Sequence, residues 1–364
     1  MKKNVFLLSV ILIGFALISN ATVWRLNNIP GVDADFTTNL QDAIDNVSSG
    51  DTIYVEQSPF SYGGATISKQ VILIGGGYWL IENDSTQASE DVSEIDYLQF
   101  DVGSEGSIIS GFSIDQEFGN AYEYAMIKIN TNDIIIQRCF LQLSIGGGEA
   151  ASKLILLNGN VNNIIIQQNW IYFYNFNETA NNIYFNGNTQ NVIVRNNFIR
   201  SVTHNPGWNY AIRMESSSSS NSPQIYNNII EGAISTFNCF YLNNILISGS
   251  FYNGTGGVAA NNICNETQFP IINNNQQNVD MSTVFVDHDL YIDNGYFLVP
   301  GSPAIGAGFN GGDCGMFSLD YGGYPYVLSG MPAIPAIFEI DFNSTIFPSN
   351  ENTLEVDLKA KSYN

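Results

Sequence analysis

The chain has 364 residues and a net charge of −22, although only 13% of its residues are charged. So acidic a protein repels phosphate backbones, which gives nucleic acid little electrostatic support as a partner. Hydrophobic residues make up 45% of the chain, with 23 Phe and 19 Tyr, which is enough for a large core and excludes global disorder.

Residues 1–21 read as a signal peptide. Lys2 and Lys3 supply the positive start, Val5 to Ile18 is an almost unbroken apolar run, and Ser19-Asn20-Ala21 is a small-x-small cleavage site. The run is shorter than the roughly 20 residues a bilayer needs. No Cys follows the cleavage site to carry a lipid, and no later stretch is long enough to span a membrane. The mature protein is expected to be secreted, extracellular or at the cell surface, without a transmembrane segment.

Residues 22–70 read as an N-terminal cap with the first strands. Thr38-Asn39-Leu40-Gln41 has the capping-box pattern with Thr38 as the cap. Leu40, Ala43, Ile44 and Val47 then make one apolar helical face, and Gly50 stops the helix before a strand at Asp51–Val55. An amphipathic helix here would cover the open end of a solenoid, whose terminal coil otherwise exposes apolar surface and strand edges.

Residues 71–320 read as that solenoid. Strand-like runs at Val71–Ile74 and Ile108–Ile114 flank an acidic stretch with Glu82, Asp84, Glu90, Asp91, Glu94 and Asp96. The stretch reads as a solvated loop. A calcium site is the alternative, although the fixed spacing of an EF-hand is absent and no motif supports it; no other metal or cofactor is implied. Beyond it a phrase returns: Ile134-Ile135-Ile136-Gln137-Arg138-Cys139-Phe140, then Ile164-Ile165-Ile166-Gln167-Gln168-Asn169-Trp170, then Val192-Ile193-Val194-Arg195-Asn196-Asn197-Phe198. Looser echoes place Asn228, Asn244 and Asn262 at the same position. Recurrence at this period marks a solenoid. Strand signals such as Met126–Ile129 then Ile134–Phe140, and Leu154–Leu157 then Ile164–Phe173, are joined by tight Asn- and Gly-rich turns. Helical periodicity is missing. The expected fold is all-β, a right-handed parallel β-helix with an N-terminal capping helix and a C-terminal hairpin.

In parallel coils, equivalent residues stack about 4.8 Å apart. An Asn amide both donates and accepts, so Asn169, Asn197, Asn228, Asn244 and Asn262 are expected to form a structural ladder from coil to coil. Aromatic residues give the best binding signal. Trp170, Tyr172 and Tyr174 alternate on one side of a strand, and Tyr184, Trp208 and Tyr210 lie in the next repeat. Their faces suit sugar rings, or packing beneath loops. The four cysteines, Cys139, Cys239, Cys264 and Cys314, contain no C-x-x-C pair and suggest no zinc site. Either they are buried free thiols, or export allows at least one disulfide, for which Cys239 and Cys264 are best placed.

Residues 321–364 read as a C-terminal cap, with strand signals at Ala336–Phe342 and Thr353–Lys359 around a Phe347-Pro348-Ser349-Asn350 loop. Ser302-Pro303-Ala304-Ile305-Gly306 reads as the turn that ends the solenoid. The hairpin is an exit cap or an element for surface attachment.

Residues 33–55 resemble the entrance to secreted pectate-lyase-type β-helix proteins. Tyr296 to Gly308 and Gly312 to Phe317 resemble the end of surface β-helix proteins with a choice-of-anchor type C-terminal region. With Tyr324 to Gly330 and Lys359 to Ser362, the chain over 33–364 resembles right-handed β-helix repeat proteins of Bacteroidetes, of the pectate-lyase-like superfamily. The resemblance implies the fold and export and is unspecific for activity. Lyases on this fold use an Arg or Lys base beside carboxylates that hold calcium. Arg138, Arg195, Arg200 and Arg213 fall in the repeat zone, but no acidic cluster repeats beside them. The Gly-His-Gly and Arg-x-Lys signatures of polygalacturonase-like hydrolases are absent. His204 and His288 read as loop residues, and Asp133, Glu178 and Glu215 have no spacing in their favour as an acid/base pair. No serine elbow, P-loop or zinc helix occurs, and Gly75–Gly77 and Gly146–Gly148 read as turns. The expected function is an extracellular or cell-surface structural or carbohydrate-binding protein, its partner a polysaccharide or another surface component. The competing expectation is a polysaccharide lyase or glycoside hydrolase on the same scaffold.

Overall fold

A computed structural model describes residues 21–84, 86, 90–116, 125–143, 152–174, 180–202, 209–215, 222–319, 321–322, 324–342 and 356–362. Residues 1–20, Gly146–Gly148, Glu178, His204, Trp208 and the Phe347–Asn350 loop lie outside the described residues.

Three parallel sheets wrap one core. The first has 10 strands, from Val23–Leu26 to Val258–Ala260; the second has 7, from Ser113–Gln116 to Ile263–Cys264; the third has 8, from Ala65–Ile67 to Phe251–Asn253. One coil visits them in turn: Ile134–Gln137 in the first sheet, Phe140–Leu143 in the second, Ser152–Asn158 in the third, then Asn162–Gln167 back in the first. This is a parallel β-helix. Ile134, Ile164 and Val192 stack in register inside the first sheet, and Leu141, Ile171 and Ile199 inside the second. All six are essentially inaccessible.

The runs read as single strands, Ile134–Phe140 and Ile164–Phe173, are each two strands meeting at a corner. Arg138 and Gln168 sit there at φ +54° and +57°, and Asn196, Asn227, Asn243 and Asn261 occupy the same corner at φ between +50° and +55°. A left-handed residue ends the first-sheet strand and turns the chain into the second, a conformation Asn tolerates better than most residues.

Immediately after each corner residue from Gln168 onward comes the ladder Asn, and after Arg138 comes Cys139, whose N–H donates to Asn169 Oδ1. Asn169 Nδ2 donates to Asn197 Oδ1, Asn197 to Asn228, Asn228 to Asn244, and Asn244 to Asn262, at 2.9–3.0 Å. The same Oδ1 atoms accept the backbone N–H of the preceding rung. The column continues to Asn275, beyond the last residue read from the repeat. A second, shorter column runs along the corner from third to first sheet, where Asn130 donates to Asp101, Asn158 to Asn130 and Asn186 to Asn158. Each bond contributes about 1 kcal/mol net, whereas an unmade one costs about 1–3 kcal/mol.

The capping helix spans Leu40–Asn46 and buries Leu40, Ala43 and Ile44. Its cap is Asn39, not Thr38: Asn39 Oδ1 accepts Asp42 N–H at 2.9 Å. Gln41 does not close a capping box. It joins the helix to the first strand of the third sheet, accepting from Thr66 N–H at 2.8 Å.

Coil stacking ends at Cys264, which a single bridge between Ile263 and Gln276 extends. Residues 281–319 and 324–331 add no strand to the three sheets. They run back along the outside of the second sheet as a strap. Phe140, Trp170, Phe198, Ile229, Ile245 and Ile263 form the outward row of that sheet, and Met281, Val284, Phe285, Tyr296, Ala304, Met316 and Tyr326 cover it. The corner residues hold the strap by its backbone. Arg138 Nη1 donates to Met331 O at 2.9 Å, and Asn196 Nδ2 donates to Met316 O and Ser318 O at 2.9 and 3.0 Å. Gln168 donates to Pro325 O, and Asn243 Oδ1 accepts Phe309 N–H at 2.8 Å. At the strap's end Gly330 packs so closely that a Cβ there would lie 2.4 Å from Arg138 O. The buried Asp293 carboxylate accepts from Asn83 Nδ2 at 2.9 Å and from Ser329 N–H at 2.6 Å. The Ser302–Gly306 turn therefore belongs to the strap. After it, Ala336–Phe342 and Val356–Lys361 pair as an antiparallel hairpin.

All four cysteines are buried free thiols, so the Cys239–Cys264 disulfide does not form. Burial pushes Cys139 and Cys239 up to about 12. Neutral, enclosed thiols react poorly. Ellman's reagent should therefore titrate four thiols per unfolded chain and almost none in the native protein. Fewer than four in denaturant without reductant would restore the disulfide.

Candidate functional site: the outer face of the third sheet

The basic residues of this acidic chain are mostly consumed by the fold. Arg25 pairs with Glu56, and Lys69 donates to the carbonyls of Asp45 and Val47 that close the capping helix. Arg138 and Arg195 are not solvated. Arg138 holds the strap, and Arg195 donates to Gln167 and Tyr226 with its guanidinium 3.8 Å from the Tyr324 ring centre. Arg200 is buried against Glu231.

Lys128, Lys153 and Arg213 lie together on the third sheet. Registered pairing puts Lys128, Leu156, Tyr184 and Arg213 in one row across successive strands of the third sheet. Their flanking neighbours Ile127, Ile155, Ile183 and Ile212 point inward, so the row points out. A parallel row holds Lys153, Asn181 and Tyr210. Lys153 Nζ lies 5.4 Å from the Tyr184 ring centre, and Arg213 lies 5.8 Å from Tyr184 and 5.1 Å from Tyr210. Cations thus approach both tyrosines, a favourable arrangement with the ring quadrupoles. At about 4.8 Å per coil, Lys128 and Arg213 stand some 14 Å apart along the helix axis. The row continues through Ser235 to Tyr252, which is 54% exposed.

Glu215 completes the cluster. Burial and the neighbouring Glu215 carboxylate push Tyr184 up to about 12. Burial also holds Lys153 below the ordinary lysine range, opposed by Glu215 and assisted by Arg213. A half-buried lysine beside a second cation loses its proton more easily than a free one.

The structure separates the aromatic residues singled out in the sequence. Tyr184 and Tyr210 join the basic face, Tyr184 only 8% exposed beneath Lys153 and Arg213 and Tyr210 half-buried beside Arg213. Trp170 does not: it is 2% exposed, stacked on Phe198 at 3.8 Å and edged by Trp79 and Tyr296. The alternation placed it outward correctly, but the strap covers that side, so it has no face open to a sugar. Tyr172 is half-buried beside Arg200. Tyr174 closes the same strand, and its side chain lies outside the described residues. Asp133 sits in a turn, accepting from Asn163, and His288 lies on the strap. Among the described residues no group of three His, Cys, Asp or Glu is placed to hold a metal ion. No helix there is long and apolar enough to cross a membrane.

Lys128 and Lys153 were not singled out in the sequence. The turns between third- and first-sheet strands differ in length, so the offset from each ladder Asn varies, and only the register aligns these lysines with Arg213.

No protein-family model matches the chain, and no curated protein matches it. Five chains of solved structures match. One, described as the crystal structure of pectate lyase Pel9A, has a TM-score of 0.36 and 10% identity over 83% of this chain and 97% of that one. A likeness this distant carries nothing about activity.

Proposed function

We propose that this is an exported protein that binds acidic polysaccharide along the outer face of its third sheet. One observation carries the reading: in a chain of net charge −22, Lys128, Lys153 and Arg213 gather with Tyr184 and Tyr210 on one face. Arg and Lys recognise carboxylate or sulfate groups, and tyrosine faces and hydroxyls suit pyranose rings. The repeat of the coil matches a repeating ligand better than a compact one. Export rests on Lys2, Lys3 and the apolar run that follows them.

A second reading is β-elimination of the same polymer, favoured by the lowered basicity of Lys153. As the neutral amine, Lys153 would take the proton α to a uronate carboxylate while Arg213 balances the carboxylate charge. The electron pair would form the double bond and expel the glycosidic oxygen on the adjacent carbon, which takes a proton from water as the new hydroxyl, leaving an unsaturated uronate.

Affinity electrophoresis through gels containing polygalacturonate or alginate tests the binding. The double variant K153A/R213A removes two charge-assisted contacts and should weaken retention roughly 100-fold. Retention should also fall as pH rises, because Lys153 is cationic below its pKa and neutral above it. The fall should begin below the usual lysine range, and K153R should move it to higher pH. A double variant retained like the native protein contradicts the proposal.

A further inference from the structure

A separate cleft of about 640 Å³ opens at the corner between the second and third sheets, within the range typical of small-ligand sites. It arises because two successive coils turn this corner on almost no residues. Strand Ile229–Glu231 passes through Gly232 alone into Ala233–Thr236, and the next coil uses Gly249 and Ser250 before Phe251. Gly232 and Gly249 have φ +137° and +101°, and a Cβ on Gly249 would lie 2.3 Å from the Gly232 carbonyl carbon.

The polar lining brings hydroxyls and carboxylates from Ser201, Glu231, Ser248, Ser250, Glu266 and Thr267 together with the amides of Asn209 and Gln268, beside the apolar Phe251. Ser201 is only 7% exposed, and its Oγ has no hydrogen-bond partner among the described residues. A buried hydroxyl left unpaired is costly, and a ligand polar group in the cleft would satisfy it. Glu231 is held in place. Arg200 Nε stands 2.8 Å from Glu231 Oε2, off the line of its N–H bond, so the contact is one of charge. The Tyr291 ring of the strap packs 3.8 Å from the guanidinium on another side. One carboxylate oxygen is fixed by this pair, leaving the other to accept from a ligand hydroxyl. Burial raises Glu231 above the ordinary carboxylate range. Arg200 does not line the cleft, whereas Glu231 and Glu266 both do, so an anionic sugar would be repelled.

We infer that this cleft is a second ligand site, taking a single neutral sugar residue whose hydroxyls bridge Ser201 and Glu231. It stands independently of the acidic-polymer reading, because the two ligands differ in charge and the residues differ. The test titrates the full protein with methyl β-glucopyranoside, methyl β-galactopyranoside, methyl α-mannopyranoside and galacturonic acid, followed by saturation-transfer NMR. At least one neutral glycoside should bind, more tightly than galacturonic acid. Ser201→Ala removes a hydroxyl that makes no bond in the fold, so the variant should stay folded and bind roughly 5- to 10-fold more weakly. Ser250→Trp, an exposed substitution that fills the cleft, should abolish binding. Retention on acidic polymer should be unchanged in both. Absence of binding by all three glycosides, galacturonic acid bound as tightly as they are, or undiminished binding by Ser250→Trp overturns the inference.

Discussion

Asn228→Ala should lower the unfolding free energy by about 4 kcal/mol, a large part of the stability of an ordinary domain. Asn228 Oδ1 accepts both the backbone N–H and the side-chain amide of Asn197, each at 3.0 Å. Its Nδ2 donates to Val194 O and Tyr226 O, each at 2.9 Å, and to Asn244 Oδ1. Alanine deprives the Asn197 backbone N–H of its acceptor in a site fully shielded from water, and takes one bond each from Asn197 Nδ2, Tyr226 O and Asn244 Oδ1, which keep Ile166 O and Arg195 O, Asn196 N–H and Asn228 N–H respectively. Desolvated, unpaired groups each cost about 1–3 kcal/mol, while the lost side chain itself had little apolar surface to contribute. Urea denaturation followed by circular dichroism measures the effect. A shift below about 1 kcal/mol would mean that the column is incidental to the coils it joins.

Trp170→Ala should cost about 3–5 kcal/mol and leave acidic-polymer retention by the folded protein unchanged. Trp170 is the middle of the outward aromatic row, between Phe140 and Phe198, and the strap's Tyr296 packs on it. Its removal opens a cavity beneath the strap, so protease cleavage within residues 281–331 should accelerate. Lost retention with unchanged stability would instead place the indole in contact with glycan.

Trp170 also shows where sequence reading reaches its limit. The repeat phrase was legible because each coil needs the same inward aliphatics and the same Asn to satisfy corner amides, so Ile134, Ile164, Val192 and their ladder partners recur visibly. The corner between first and second sheets was not legible. A single left-handed residue makes it, and Arg138 and Gln168 do so without a glycine to mark it. The strap was also missed, although it left a trace. A large apolar residue follows the Asn position in coil after coil, at Phe140, Trp170, Phe198, Ile229, Ile245 and Ile263. An outward row this apolar must be covered, and the segment that covers it was read as further solenoid because its own pattern is irregular. The basic face was half legible. Tyr184, Tyr210 and Arg213 stood out as residue types, while Lys128 and Lys153 joined them only through strand register.

The most direct measurement is retention of the full described fold on a panel of acidic and neutral polysaccharides over a range of salt. Acidic polymers should be retained, neutral polymers of equal length much less, and the difference should shrink as salt screens Lys128, Lys153 and Arg213. Appearance of unsaturated-uronate absorbance during the same experiment would select elimination over binding alone at that face. Equal retention of acidic and neutral polymers, or no retention of either at low salt, would contradict the proposed role of the third sheet.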